Sequence, residues 1–133
     1  MKNKSMLTLG DVKKIVAAAE AEALKNNWVV AIAVLDDGGH PLAISRLDGA
    51  TPLNVEVAMS KARTSALSGR SSKMFEDRVA AGRLSMLNMP LLPLQGGLPI
   101  IVDKQCIGSV GVSGVQSQED EQIAKAGIDS LGI

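Results

Sequence analysis

The chain has 133 residues, the length of one domain, and its 46% apolar and 21% charged residues give a globular composition that excludes a disordered or fibrous chain. Its 14 Lys and Arg balance its 14 Asp and Glu, so no net field attracts phosphate backbones. Trp28 and Phe75 are the only aromatic residues, too few for a base-stacking platform, and nucleic acid is not an expected partner.

The only cysteine is Cys106, which excludes an internal disulfide and a Cys-built zinc or iron–sulfur site. Met1 to Gly10 carries Lys2 and Lys4 without the apolar run of a secretory signal. The longest apolar stretch, Trp28 to Leu35, falls far short of the roughly 20 residues that cross a bilayer. A cytoplasmic protein with no membrane partner is expected.

In chain order, Thr8 and Asp11 have the spacing of a capping box. Val12, Ile15, Val16, Ala19 and Ala23 then recur at helical spacing, predicting a first helix that stops near Asn26. Trp28–Leu35 and Leu42–Leu47 are expected as strands joined through Asp36-Asp37-Gly38-Gly39, where glycine reaches positive φ without steric cost. Pro52 suits the first turn of a second helix that ends before Gly69, with Ala58, Ala62 and Ala66 as a stripe of small residues. A short helix is expected from Ser71 or Ser72 to near Gly82. Between Arg83 and Gln95 the apolar pattern is broken by Pro90 and Pro93, and no element is assigned.

Leu98–Val102 and Cys106–Ser113 form a second expected hairpin, turned at Asp103-Lys104-Gln105. Ser117 is expected to cap a last helix, with Glu119, Asp120 and Glu121 in the first turn complementing its dipole. Two tight hairpins exclude a doubly wound parallel sheet, which needs helical crossovers. The expected fold is one α+β domain over 1–133, a mostly antiparallel sheet of about five strands flanked by helices in the order helix–hairpin–helices–hairpin–helix.

Several motifs fail on inspection. Gly108, Gly111 and Gly114 suggest a phosphate loop, but the first two fall inside a strand and the next helix opens with three carboxylates that would repel an anion. Gly111-Val-Ser-Gly has Val115 where a nucleophile elbow needs its last glycine. His40, the only imidazole, sits beside Asp36 and Asp37 as either a solvated turn residue or a ligand to a metal or haem.

The last strand is more telling. Ser109, Gly111 and Ser113 give one face little side-chain volume, so something approaches its backbone closely: the second helix, another subunit or a small molecule. Arg46 and Asp48 after the second strand, and Lys61 and Arg63 in the second helix, are the nearby polar candidates, Arg63 being read as a surface ion-pairing charge. Arg46 suits a carboxylate clamp and Lys61 a point charge.

Together Val30-Ala-Ile-Ala-Val-Leu-Asp-Asp-Gly-Gly-His-Pro-Leu, Ser45-Arg-Leu-Asp-Gly, Ser60-Lys-Ala-Arg-Thr-Ser-Ala, Gly96-Gly-Leu-Pro-Ile, Ile107-Gly-Ser-Val-Gly-Val-Ser-Gly and Gln118-Glu-Asp resemble the GlcG/HbpS-like family from about Leu9 to Leu131. The resemblance implies a compact α+β domain assembled into homo-oligomers. Some members bind haem, and a related domain follows the adenosyltransferase of PduO proteins. Members occur near genes of glycolate, diol or glycerol metabolism. Arg46, Asp48, Lys61, Gly96, Gly97, Gly111, Ser113 and Gly114 occupy family motif positions, and of these Arg46, Asp48, Lys61, Gly97, Gly111 and Ser113 form the expected ligand-binding set. The first-helix histidine of haem-binding PduO-type domains has no counterpart here, so an iron ligand would be His40, a methionine or an oxygen donor.

Three functional readings follow. The first is a small-molecule binder, with haem or another tetrapyrrole as ligand, accessory to a catabolic pathway. The second is an enzyme acting on a small carboxylate or aldehyde, with Arg46 as clamp and Lys61 or His40 as the acid–base group. The third is a structural assembly module.

Overall fold

The computed structural model describes residues 1–133. Helix α1 (Leu9–Lys25) starts at the expected capping box: Thr8 Oγ1 accepts from Asp11 N (3.2 Å) while Thr8 N donates to Asp11 Oδ2 (2.9 Å). Strand β1 is Ala31–Asp36, shorter than expected at its start. The reason is local: Asn27 adopts φ +57° and Trp28 N still donates to Ala23 O (2.9 Å), so Trp28 belongs to the helix exit. Strand β2 is Pro41–Arg46 and helix α2 Pro52–Ser68, ended by Gly69 in the left-handed conformation at φ +69°. Helix α3 (Ser72–Ala80) is followed by a single 3-10 turn at Leu84–Asn88.

Strands β3 (Gly97–Val102) and β4 (Gln105–Ser113) and helix α4 (Ser117–Asp129) complete the chain. The β3–β4 turn has two central residues, not three. Asp103 and Lys104 both take positive φ, at 50° and 63°, and Gln105 already pairs with Val102. This is the backbone of a primed turn, whose twist matches the strands, formed here without glycine. Helix α4 is capped by Gln116, not Ser117, because the Glu119 carboxylate reaches back to accept from Gln116 N (3.1 Å).

The sheet has four strands rather than five, in the order β2-β1-β4-β3, every neighbouring pair antiparallel. The leucine- and methionine-rich stretch before β3 adds no strand, since Pro90 and Pro93 have no N–H for a ladder. The helix–hairpin–helices–hairpin–helix order is as expected.

The two sheet faces are packed by different means. Val30, Ile32, Val34, Ile100, Val110 and Val112 are buried with Val12 and Ile15 of α1 and Ile123 of α4 in the main apolar core. The opposite face is thin. There Ala31, Ala33 and Leu35 of β1 meet Ala58 and Ala62 of α2.

On β4 the glycine-lined side is filled by this chain's own helix. A methyl group built on Gly111 would overlap the Ala58 carbonyl oxygen and stand 2.5 Å from Ala62 N, and one on Gly97 would overlap the Lys61 carbonyl oxygen. Helix and sheet backbones are thus nearly in contact. A hydrogen bond crosses the seam, Ser109 Oγ donating to Ala62 O (2.6 Å), and Gly97 N donates to Ser72 Oγ at the start of α3 (2.9 Å).

Gly111→Ala is therefore expected to destabilise the fold at or above the upper end of the about 1–3 kcal/mol typical of overpacking, because backbone rather than a movable side chain blocks the methyl. Gly10→Ala, within α1 and only 3.6 Å from its nearest neighbour, Thr8 Oγ1, should be neutral or slightly stabilising. Urea unfolding midpoints of the two variants check the contrast.

Candidate functional site

Lys61 lies on α2 where the helix crosses the ends of β3 and β4. It is 3% exposed, and its Nζ donates to Asp120 Oδ2 (2.9 Å) and to Val112 O (3.0 Å). Asp120, 2% exposed, also accepts from Val115 N through Oδ1 (3.2 Å). Burial pushes the Asp120 carboxyl above its ordinary value of 3.8, although the Lys61 ammonium and Val115 N–H both pull it down. The expectation that Asp120 serves the α4 dipole thus misses its main role: it anchors α4 to α2 and β4 as one half of a buried ion pair. Lys61 is engaged on two sides by the chain itself.

The other members of the expected ligand set do not converge. Gly97 and Gly111 face the α2 backbone, and the room a side chain would take at either is occupied by that helix. Ser113 is buried at the end of β4. Arg46 and Asp48 are exposed at and just past the end of β2. None of these six residues lines any of the main surface clefts, which have volumes of about 280 to 460 Å³. No three His, Cys, Asp or Glu side chains gather into a metal-binding cluster.

His40 is different. It lines a cleft of about 280 Å³ between the β1–β2 hairpin and α2, together with Leu35, Pro41, Glu56, Met59 and Arg63. The hairpin is built around the Asp36 carboxylate, whose Oδ1 accepts from Gly38 N and His40 N, both at 2.9 Å. Those two N–H groups, with the imidazole alongside, hold the Asp36 carboxyl below its ordinary range, the His40 N–H having the largest effect.

The imidazole Nδ1 lies 3.4 Å from the same oxygen, and the ring is laid against Gly38. Gly39, at φ +80°, lets the hairpin bend onto α2 so that the Arg63 stem crosses it, with Cγ 3.2 Å from the position of a Cβ. Met59 and Arg63 belong to this cleft; Met59 was missed among the sequence-level candidates, and Arg63 was read as a surface ion-pairing charge. Their four-residue spacing on α2 was the available signal, but it points to a site only once the hairpin is known to fold over that stripe.

The largest cleft, about 460 Å³, lies between α3, β3 and α4. Its polar lining is mostly tied within the chain: Glu121 accepts from Ser71 Oγ (3.1 Å) and from Gln95 Nε2 (3.1 Å). It offers no imidazole and no arginine.

Fold and cleft together define a small α+β domain with helices on both faces of an antiparallel sheet and a cleft holding its one imidazole at the sheet edge. The chain belongs to the HbpS-like family: the family model described as "Haem degrading protein HbpS-like" matches residues 7–129. It is 49% identical over 114 residues to the protein GlcG of Escherichia coli K12, covering 85% of each chain. A double mutant of HbpS from Streptomyces reticuli superposes with a TM-score of 0.90 at 31% identity, covering 100% of this chain and 92% of that one. A PduOC–haem complex superposes with a TM-score of 0.87 at 24% identity over 95% of each chain, a likeness of fold.

Lys61→Met is expected to cost about 3–5 kcal/mol by leaving the Asp120 carboxylate buried without its partner, and Lys61→Met with Asp120→Leu should recover much of that loss. The single variant also loses both Lys61 interactions that lower the Asp120 carboxyl, so its folded-state value rises further above 3.8. A raised carboxyl binds its proton more tightly folded than unfolded. The deficit against the parent is therefore full above the folded value and shrinks as pH falls through it. Denaturant titrations of all three proteins between acid and neutral pH measure both effects.

Proposed function

We propose that this protein binds haem or a closely related tetrapyrrole and works as a cytoplasmic homo-oligomer accessory to glycolate, diol or glycerol catabolism. The observation that carries the reading is family membership across residues 7–129, in a family described by haem degradation. Beside the carboxylate of Glu56, the cleft at the β1–β2 hairpin carries an imidazole (His40), a thioether (Met59) and a guanidinium (Arg63). Axial ligation and propionate pairing call for those types of group.

Apolar side chains left in water are available for self-association: Leu53, Leu67, Leu84 and Leu87 are 67%, 52%, 63% and 58% exposed on α2 and the segment after α3. No helix is long and apolar enough to cross a membrane.

An enzyme working on a small carboxylate has less support. Its acid–base candidate Lys61 is already paired to Asp120, and Arg46 lines no main cleft with His40.

Haemin titrated into the purified protein is expected to give a saturable, shifted Soret band, and native mass measurement a discrete oligomer. A spectrum that remains the sum of free haemin and protein would remove the haem reading.

A further inference from the structure

We infer that the cleft between the β1–β2 hairpin and α2 binds a small monocarboxylate that carries a hydroxyl or ammonium group on its short carbon chain. The inference goes beyond the haem reading and does not depend on it.

The polar groups of this cleft are unspent. Glu56, Ser60 and Arg63 follow one another at helical spacing, so α2 presents them as one stripe along the cleft wall. None of the ion pairs of the chain uses Glu56 or Arg63, although the two opposite charges line the same small space. Ser60 gives its carbonyl oxygen to Thr64 Oγ1 (3.0 Å) and keeps its hydroxyl free. On the hairpin side, Asp36 Oδ1 accepts from His40 N (2.9 Å) and lies 3.4 Å from His40 Nδ1. In the neutral imidazole, a hydrogen on Nδ1 facing that carboxylate leaves Nε2 as an open acceptor.

These free groups sort into two kinds. Ser60 and Arg63, one helical turn apart, offer a hydroxyl and a guanidinium, the donors that hold a carboxylate. Glu56 and His40 Nε2 are acceptors, and they call for an O–H or N–H. A molecule with a carboxylate at one end and a donor at the other satisfies both sets. A plain anion gains only the first, and a dianion also meets the negative charge of Glu56, so Glu56 acts against such ligands.

The size of the cleft agrees with this chemistry. At about 280 Å³ it is at the low end for small-molecule sites, which suits a ligand of a few carbons. Gly39 keeps the space open: at φ +80° a Cβ there would stand 3.2 Å from Arg63 Cγ and crowd the stem that carries the guanidinium. An adjoining cleft of about 290 Å³ shares Ser60 and Arg63, but it has no carboxylate, and its Thr64 hydroxyl already accepts from Leu92 N (2.9 Å). Only the hairpin side pairs donors with acceptors.

The test is calorimetric titration of the full-length, haem-free protein with lactate, 4-hydroxybutyrate, alanine, acetate and inorganic phosphate. At least one of the first three is expected to bind saturably, with acetate and phosphate at least about tenfold weaker; which of the three binds tells a hydroxyl from an ammonium and a short from a longer spacing. Arg63→Ala should lower the affinity of the bound ligand at least about tenfold, the loss of a charge-assisted hydrogen bond. Glu56→Gln should narrow the preference for that ligand over acetate. Arg78→Ala, which removes an equal charge from exposed α3, should leave binding unchanged.

Arg63 is exposed on a helix, where alanine is a favourable replacement, and circular dichroism checks that the variant keeps its fold. If none of the three donor-bearing carboxylates binds better than acetate, or if folded Arg63→Ala keeps the affinity of the parent, the inference is overturned. Because no haemin is present, either result leaves the haem reading where it stood.

Discussion

The near-contact between the α2 backbone and strands β3 and β4 is the constraint from which the rest of the architecture follows. It exists because the seam holds almost no side-chain volume: Gly97 and Gly111 on the sheet meet the Lys61, Ala58 and Ala62 backbone on the helix. Once α2 is seated so closely over β4 it cannot also cover the far edge of the sheet. Strand β2 therefore keeps one face open, and the loop leading into it is free to fold against the outer stripe of α2. The cleft with His40 is thus a by-product of close packing elsewhere.

A thin seam also changes what holds the helix in place. The opposite face buries Ile and Val side chains, each worth about 1.5–3 kcal/mol when removed from water. Alanine has far less area to bury, so α2 depends more on directional ties. These are the Ser109 hydroxyl on Ala62 O, the Thr64 hydroxyl between Ser60 O and Leu92 N, and the Lys61–Asp120 pair. A buried ion pair adds little net stability once desolvation is counted. Its value here is positional: the Lys61 ammonium meets both an α4 carboxylate and the Val112 carbonyl only when α2, β4 and α4 are in register. The sheet is held on one side by apolar area and on the other by geometry.

Much of the architecture is legible in the sequence because its signals are local. The Thr8–Asp11 spacing, the Pro52 start and Gly69 end of α2, and the alternation in β4 each depend on residues a few positions apart. The β3–β4 turn was harder to read, because Asp103 and Lys104 adopt positive φ without the glycine that normally announces it. Asp120 was misread for a different reason. A carboxylate in the first turn of a helix always suits the dipole, and only the tertiary fold brings Lys61, 59 positions earlier, within 2.9 Å of it. The small-residue face of β4 correctly announced a close approach. Which body approaches is a three-dimensional fact, and of the three considered it is the chain's own second helix. Arg63 looked like an ordinary surface charge because nothing in its neighbourhood in sequence reveals that Gly39 will lie beneath its stem.

The division between a close-packed seam and an open edge separates the buried polar framework of this fold from its exposed polar groups. The residues least tolerant of change, Gly97, Gly111, Lys61 and Asp120, are buried and satisfied by one another. His40 and Arg63 are exposed, and Met59 is partly buried, where the hairpin meets α2. The hairpin needs its own source of order there, since the Lys4–Asp37 ion pair at its tip is exposed and worth little. Asp36 supplies it by holding two backbone N–H groups that would otherwise point into solvent. Because those bonds depress its pKa, the Asp36 contribution is present above about the ordinary carboxylate value and is lost only as pH falls through the lower folded one. At neutral pH the loop is held by an ionised carboxylate, and the imidazole it carries is presented from a fixed base rather than from a mobile tip.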